Sequence, residues 1–134
     1  MDDIFVARIM STDLHTVSPD TLVEDAASVM LDNEIGSVVV TDDDGHVVGI
    51  LTTTDFVRIV ALSQPKAQTT VERYMSTDVV TAGAQDSIRD VADTMVAEGF
   101  HHMPVVDPTE GLIGMVTTTD LAAYLADVES PVAA

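Results

Sequence analysis

An internal repeat limits the fold of this chain more than any other feature. Displaced by 65 residues, the sequence matches itself without a gap: residues 8–61 lie on 73–126, and 17 of the 54 pairs are identical. Chance would give roughly 3, so two copies of one supersecondary unit are implied. Arg8-Ile9-Met10-Ser11-Thr12-Asp13 lies on Arg73-Tyr74-Met75-Ser76-Thr77-Asp78, and Gly49-Ile50-Leu51-Thr52-Thr53-Thr54-Asp55 lies on Gly114-Met115-Val116-Thr117-Thr118-Thr119-Asp120. The polar, Pro-containing stretch Ser63-Gln64-Pro65-Lys66-Ala67-Gln68-Thr69 has no periodicity and separates the copies. The expected organisation is a first repeat over 1–62, a linker over 63–70 and a second repeat over 71–134.

Both copies have the same local pattern. A short extended piece (14–17 and 79–81) precedes a turn. Thr21-Leu22-Val23-Glu24 has the spacing of a capping box and predicts a helix to about Asn33. Its counterpart Asp86 is placed to cap a helix to about Glu98. Val23, Ala26, Ala27 and Met30 share one helical face, as do Ile88, Val91, Ala92 and Met95. Apolar strands follow at 37–41 and 46–51, and again at 103–106 and 112–116, with Gly45 and Gly111 available for positive φ in the turns. Second helices are expected near Thr53 and Thr118. The order is β-α-β-β-α twice, an α/β (α+β) fold whose strands are continuous enough to be covered by helices. Units of this size are marginal alone, so the copies should pack with pseudo-two-fold symmetry and enclose a cleft, a common place for a ligand.

Charge and composition exclude several roles. The net charge is −18, from 23 acidic and 5 basic residues. That field repels nucleic-acid phosphates and anionic membranes, and its self-repulsion is best tolerated in a salt-rich cytoplasm such as a halophile's. The 134 residues are 46% hydrophobic but only 4% aromatic, without Trp, so the core is aliphatic. The recurring Met10 and Met75 are expected to pack where each unit begins. The absence of Cys excludes disulfides, thiolate metal sites and a Cys nucleophile. The acidic start Met1-Asp2-Asp3 is unlike a signal peptide, and no run reaches the ~18 apolar residues of a membrane span, so a cytoplasmic location is expected.

The tandem βαββα units, the Met-Ser-Thr-Asp lead-ins and the endings Gly-x-x-Thr-x-x-Asp resemble a pair of CBS domains, a Bateman module, over nearly the whole chain. The resemblance implies a non-catalytic sensor that holds AMP, ADP, ATP, S-adenosylmethionine or a similar adenosyl compound between the repeats. It further implies a homodimer and a regulated effector protein. A ligand-free dimerisation or interaction module is the competing reading.

Thr52 with Asp55, and Thr117 with Asp120, each follow a strand and open a helix. Helix-start amides attract anions, a Thr hydroxyl can donate to a phosphate, and a carboxylate can accept from a ribose diol. The same residues can instead simply cap the helix. The resemblance places Thr16, Val17, Thr81 and Ala82 where backbone groups meet the adenine edge. It places Gly36 and Ser37, and His101, His102 and Pro104, close to the phosphates. Adjacent strand residues face opposite ways, so one of the two histidines should face the ligand. The acidic surroundings are expected to favour its protonation. Asp42-Asp43-Asp44-Gly45 lacks the ligand spacing of a calcium loop and reads as a hairpin turn, and no metal site is assigned. With few cations to clamp a polyphosphate, AMP or an uncharged or cationic adenosyl compound suits the chain better than ATP. No cofactor is required, and no nucleophile, base and oxyanion site can be assembled.

Overall fold

The computed structural model describes residues 4–61 and 69–129. Residues 63–68 of the expected linker therefore lie outside the described residues. The elements are α1 (Val6–Ile9), β1 (Thr16–Val17), α2 (Val23–Asn33), β2 (Ser37–Thr41), β3 (Val47–Thr52) and α3 (Thr53–Ala61). A 3₁₀ turn (Val71–Arg73) then leads to α4 (Ile88–Glu98), β4 (His102–Asp107), β5 (Gly111–Thr117) and α5 (Thr118–Glu129). The helix ends at Asn33 and Glu98 and the helix starts at Thr53 and Thr118 are as expected. They form two compact units: one is His15–Val79, and the other joins the segment up to Leu14 to the chain from Val80 onward.

In the unit His15–Val79 the strand order is β1-β2-β3, with β1 parallel to β2 and β2 antiparallel to β3. Val38, Val39 and Val40 are all buried, as in a strand covered on both faces. Val23, Ala26 and Met30 from α2 and Ile59 from α3 complete the core with Leu51 and Val71. The β2–β3 connection is the expected turn: Gly45 has φ +84°, and Asp42 Oδ1 accepts N–H bonds from Asp44 (3.0 Å) and His46 (2.8 Å). The other unit packs Val6, Ala82, Val91, Met95, Met103, Val105 and Val116 around the antiparallel pair β4-β5.

The capping box is not formed. Leu22 occupies the N-cap of α2 without a side-chain bond, and Thr21 Oγ1 instead accepts the Ser18 N–H at 3.1 Å. The reason is a backbone bridge between Leu22 and Thr70: the Val23 N–H, which a cap would have helped satisfy, donates to the Thr69 carbonyl at 2.9 Å. The second unit repeats this. Phe5 bridges Ser87, and the Ile88 N–H donates to the Ile4 carbonyl at 2.8 Å. Asp86 does not cap α4; its Oδ2 accepts from the Gly83 N–H, and the Ser87 side chain accepts from the Asp90 N–H at 3.1 Å.

The lead-in segments are thus exchanged. The one at the start of the second repeat docks on α2 and β3, and the one at the start of the first repeat docks on α4 and β5. Met75 and Met10 lie over the last strand of the sheet, not where their own repeats begin. A Cβ on Gly49 would stand 2.5 Å from Met75 Sδ and 3.1 Å from the Ser76 carbonyl; on Gly114 it would stand 2.5 Å from Met10 Sδ and 3.2 Å from the Ser11 carbonyl. Those carbonyls cannot yield freely, because Ser76 and Ser11 are bridged to Ile50 and Met115. The Gly and Met positions of the repeat therefore serve one contact. Gly49→Ala is expected to destabilise the fold by about 1–3 kcal/mol in urea unfolding. In a Met75→Ala background the same change should cost less; an equal cost in both backgrounds would show that the methionine does not set the contact.

Candidate functional site

Each unit makes a direct strand-to-helix junction with no intervening loop. β3 runs into α3 between Thr52 and Thr53, and β5 into α5 between Thr117 and Thr118. The first helical amide is returned to the start of the neighbouring strand: Thr53 N–H donates to the Gly36 carbonyl (3.1 Å), and Thr118 N–H to that of His101 (3.0 Å). Three residues past each Thr, the Asp folds back. Asp55 Oδ2 accepts the Thr52 N–H at 2.9 Å and the Thr52 hydroxyl at 3.3 Å. Asp120 Oδ2 accepts the Thr117 N–H at 2.9 Å, while Thr117 Oγ1 accepts the Asp120 N–H at 3.2 Å. Capping is therefore a real role of both motifs, and it uses one carboxylate oxygen of each.

The second oxygen distinguishes the copies. Asp55 is only 5% exposed, and its Oδ1 accepts from Arg58 Nη1 at 3.1 Å, one turn along α3. Residue 123, the repeat equivalent of Arg58, is Ala. Asp120 is half-buried, and among the described residues no donor reaches its Oδ1. Arg58 was legible as a break in the repeat, yet residue types alone did not show that its guanidinium turns back onto the carboxylate.

Of the other expected site residues, Gly36, Ser37, His101 and His102 adjoin these junctions, through the helix-start amide bonds and the sheet register. Ser37 lies opposite Thr52 in the sheet and is buried; its equivalent His102 lies opposite Thr117 and is half-buried. Thr16 and Thr81 are exposed, while Val17 and Ala82 turn into the cores. The side chain of Pro104 is fully buried. Val17, Ala82 and Pro104 thus have only backbone groups to offer, and the Pro104 carbonyl is already used by the Ala82 N–H at 2.9 Å. In the first copy β1 makes two parallel pairs, Thr16 with Val39 and Val17 with Val40. The second copy keeps only the bridge Ala82 to Val105, because Pro104, in the place of Val39, has no N–H for the other.

His102 is the histidine paired with Thr117, and Asp120 lies close enough to act on its charge; His101 is exposed. The expectation that acidic surroundings would favour protonation is not met. Burial pushes the His102 pKa below 6.5, the His101 charge pushes the same way, and Asp120 opposes both without prevailing. Desolvation of the half-buried ring outweighs one nearby carboxylate.

The CBS domain family matches residues 6–62 and again 71–127. The chain belongs to the CBS domain family. A protein of Acidianus ambivalens described as an uncharacterized 17.7 kDa protein in the bps2 3′ region is 35% identical over 125 residues, which span 93% of this chain and 75% of that protein. Homoserine O-acetyltransferase of Methanosalsum zhilinae is 32% identical over 121 residues, 90% of this chain but only 24% of the enzyme. This CBS pair therefore spans about a quarter of that relative, and most of the enzyme lies outside the match. Among solved structures, the CBS domain pair of protein MJ0100, in complex with 5′-methylthioadenosine and S-adenosyl-L-methionine, superposes with a TM-score of 0.87 at 25% identity, covering 96% of this chain and 100% of that one. A conserved Pyrococcus horikoshii protein gives 0.84 at 29% identity, over 93% and 95% of the two chains. No helix among the described residues of the pair is long and apolar enough to cross a membrane.

A lowered His102 pKa has a definite sign for stability. The folded state holds the ring neutral while the unfolded chain takes up a proton near the ordinary value. The stabilising contribution is therefore present above about pH 6.5 and is lost as pH falls below it toward the folded value. His102→Gln should remove that part of the acid destabilisation in urea titrations between about pH 7.5 and about pH 5. An NMR titration should place the His102 midpoint below 6.5; a midpoint above it would mean that Asp120 dominates.

Proposed function

We propose that this CBS pair is a non-catalytic regulatory module that senses an adenosyl compound at its strand-to-helix junctions. One observation carries the reading: the Thr-x-x-Asp junction occurs twice, and each brings helix-start amides, a Thr hydroxyl and a carboxylate to the same point. Such a point offers an acceptor to a ribose diol and donors to whatever the 5′ position carries. The solved CBS pair of closely similar fold, with 5′-methylthioadenosine and S-adenosyl-L-methionine bound, supports the same ligand class.

The ligand regulates by its difference in affinity between two states of the protein, and that difference bounds the shift it can cause. The regulated effector is a separate protein or a domain beyond the matched region, and the module works as a homodimer of repeat pairs 1–62 and 71–134 joined by 63–70. The net charge of −18 fits a salt-rich cytoplasm, where screening permits so acidic a surface.

Isothermal titration in molar KCl with 5′-methylthioadenosine, S-adenosylmethionine and AMP tests this. Saturable binding of at least one is expected. Asp120→Ala should weaken it by about 1–3 kcal/mol, a loss of roughly 5- to 150-fold in affinity. No heat from any of the three at millimolar concentration would overturn the reading.

A further inference from the structure

The geometry points to two unequal junctions: Arg58 occupies the carboxylate of the first, and the Asp120 junction is the one that takes a nucleoside first and most tightly. This rests on the sensor reading above and adds which copy binds and what decides it.

At each junction one carboxylate oxygen is committed to the strand-end amide, at 2.9 Å in both copies. A ribose diol must therefore find its acceptor mainly at the other oxygen. In the first copy that oxygen already accepts from Arg58 at 3.1 Å, and Asp55 as a whole is 5% exposed. A diol there has to displace the guanidinium and reach a nearly covered group. In the second copy the oxygen is open among the described residues, Asp120 is half-buried, and Ala123 stands where Arg58 would be. His102, whose charge Asp120 influences, does not supply a substitute for that guanidinium, since its own proton is disfavoured by burial.

The remaining differences point the same way. Thr52 spends its hydroxyl proton on Asp55 Oδ2, whereas Thr117 Oγ1 accepts from the Asp120 amide and keeps its proton for another acceptor. The second junction thus has both an acceptor and a donor available, and the first has satisfied its own. The Arg58 side chain is 61% exposed, so its ion pair is a partly screened one. It biases occupancy by roughly two- to fivefold and does not forbid binding at high ligand concentration.

Two reciprocal substitutions at exposed positions test this without touching either core. Arg58→Ala gives the first copy the second copy's arrangement, and Ala123→Arg does the reverse. Titration with 5′-methylthioadenosine in molar KCl should show one tight site per chain in the native protein. Arg58→Ala should tighten the weaker site about two- to fivefold, so that two comparable sites appear. Ala123→Arg should weaken the tight site by a similar factor. Circular dichroism melts of both variants check that they fold. Two equal sites in the native protein, or normal binding that neither substitution alters, would overturn the role of Arg58 and leave the sensor reading standing. Absence of binding in the native protein, with S-adenosylmethionine and AMP equally silent, would overturn both.

Discussion

The proposed site of this CBS pair depends on how a strand becomes a helix with no residue between them. A helix start leaves amide groups without intrahelical partners. Here the first is returned to the neighbouring strand, at the Gly36 or His101 carbonyl, and the strand-end Thr amide is taken by the Asp three residues on. The same carboxylate stabilises the turn with one oxygen, while its second oxygen meets Arg58 in the first copy and no donor among the described residues in the second. Capping engages one carboxylate oxygen of each Asp, and the proposed ligand contact falls to the other.

The second constraint is the exchange of lead-in segments. Each βαββα unit is completed by the stretch that opens the other repeat, through a backbone bridge at the start of its first helix and another at its last strand. Neither copy of the repeat, cut at its sequence boundaries, would keep those bonds. The close approach over Gly49 and Gly114 makes the docking depend on two positions where a side chain is missing. Because Gly49 and Gly114 lie three residues before Thr52 and Thr117, a lead-in segment that detached would loosen the strand that positions the junction.

Much of this was legible in the sequence. The 65-residue offset, the turn glycines and the apolar periodicity located the helices, the hairpins and both junctions, because those signals are local. What was not legible came from contacts distant in sequence. Thr21 and Asp86 have the right spacing to cap helices, but backbone from residues 69 and 4 reached the first amides instead. Pro104 shortened the edge pairing of the second copy, an effect visible only once Ala82 was its neighbour. Asp120 acts on the charge of His102, yet the burial of the ring outweighs it, and burial is a property of the packed unit. The inequality of Asp55 and Asp120 was present in the sequence as Arg58 against Ala123, but its meaning required knowing that position 58 lies one turn above the carboxylate.

The central claim is that the strand-to-helix junction is where a nucleoside is held. An amide-resolved NMR titration with 5′-methylthioadenosine tests it most directly. The account predicts that the amides of Thr117, Thr118 and Asp120 shift first and most, with those of Thr52 and Asp55 following only at higher ligand concentration. Saturable shifts clustered elsewhere, with all five of these amides unmoved, would contradict it.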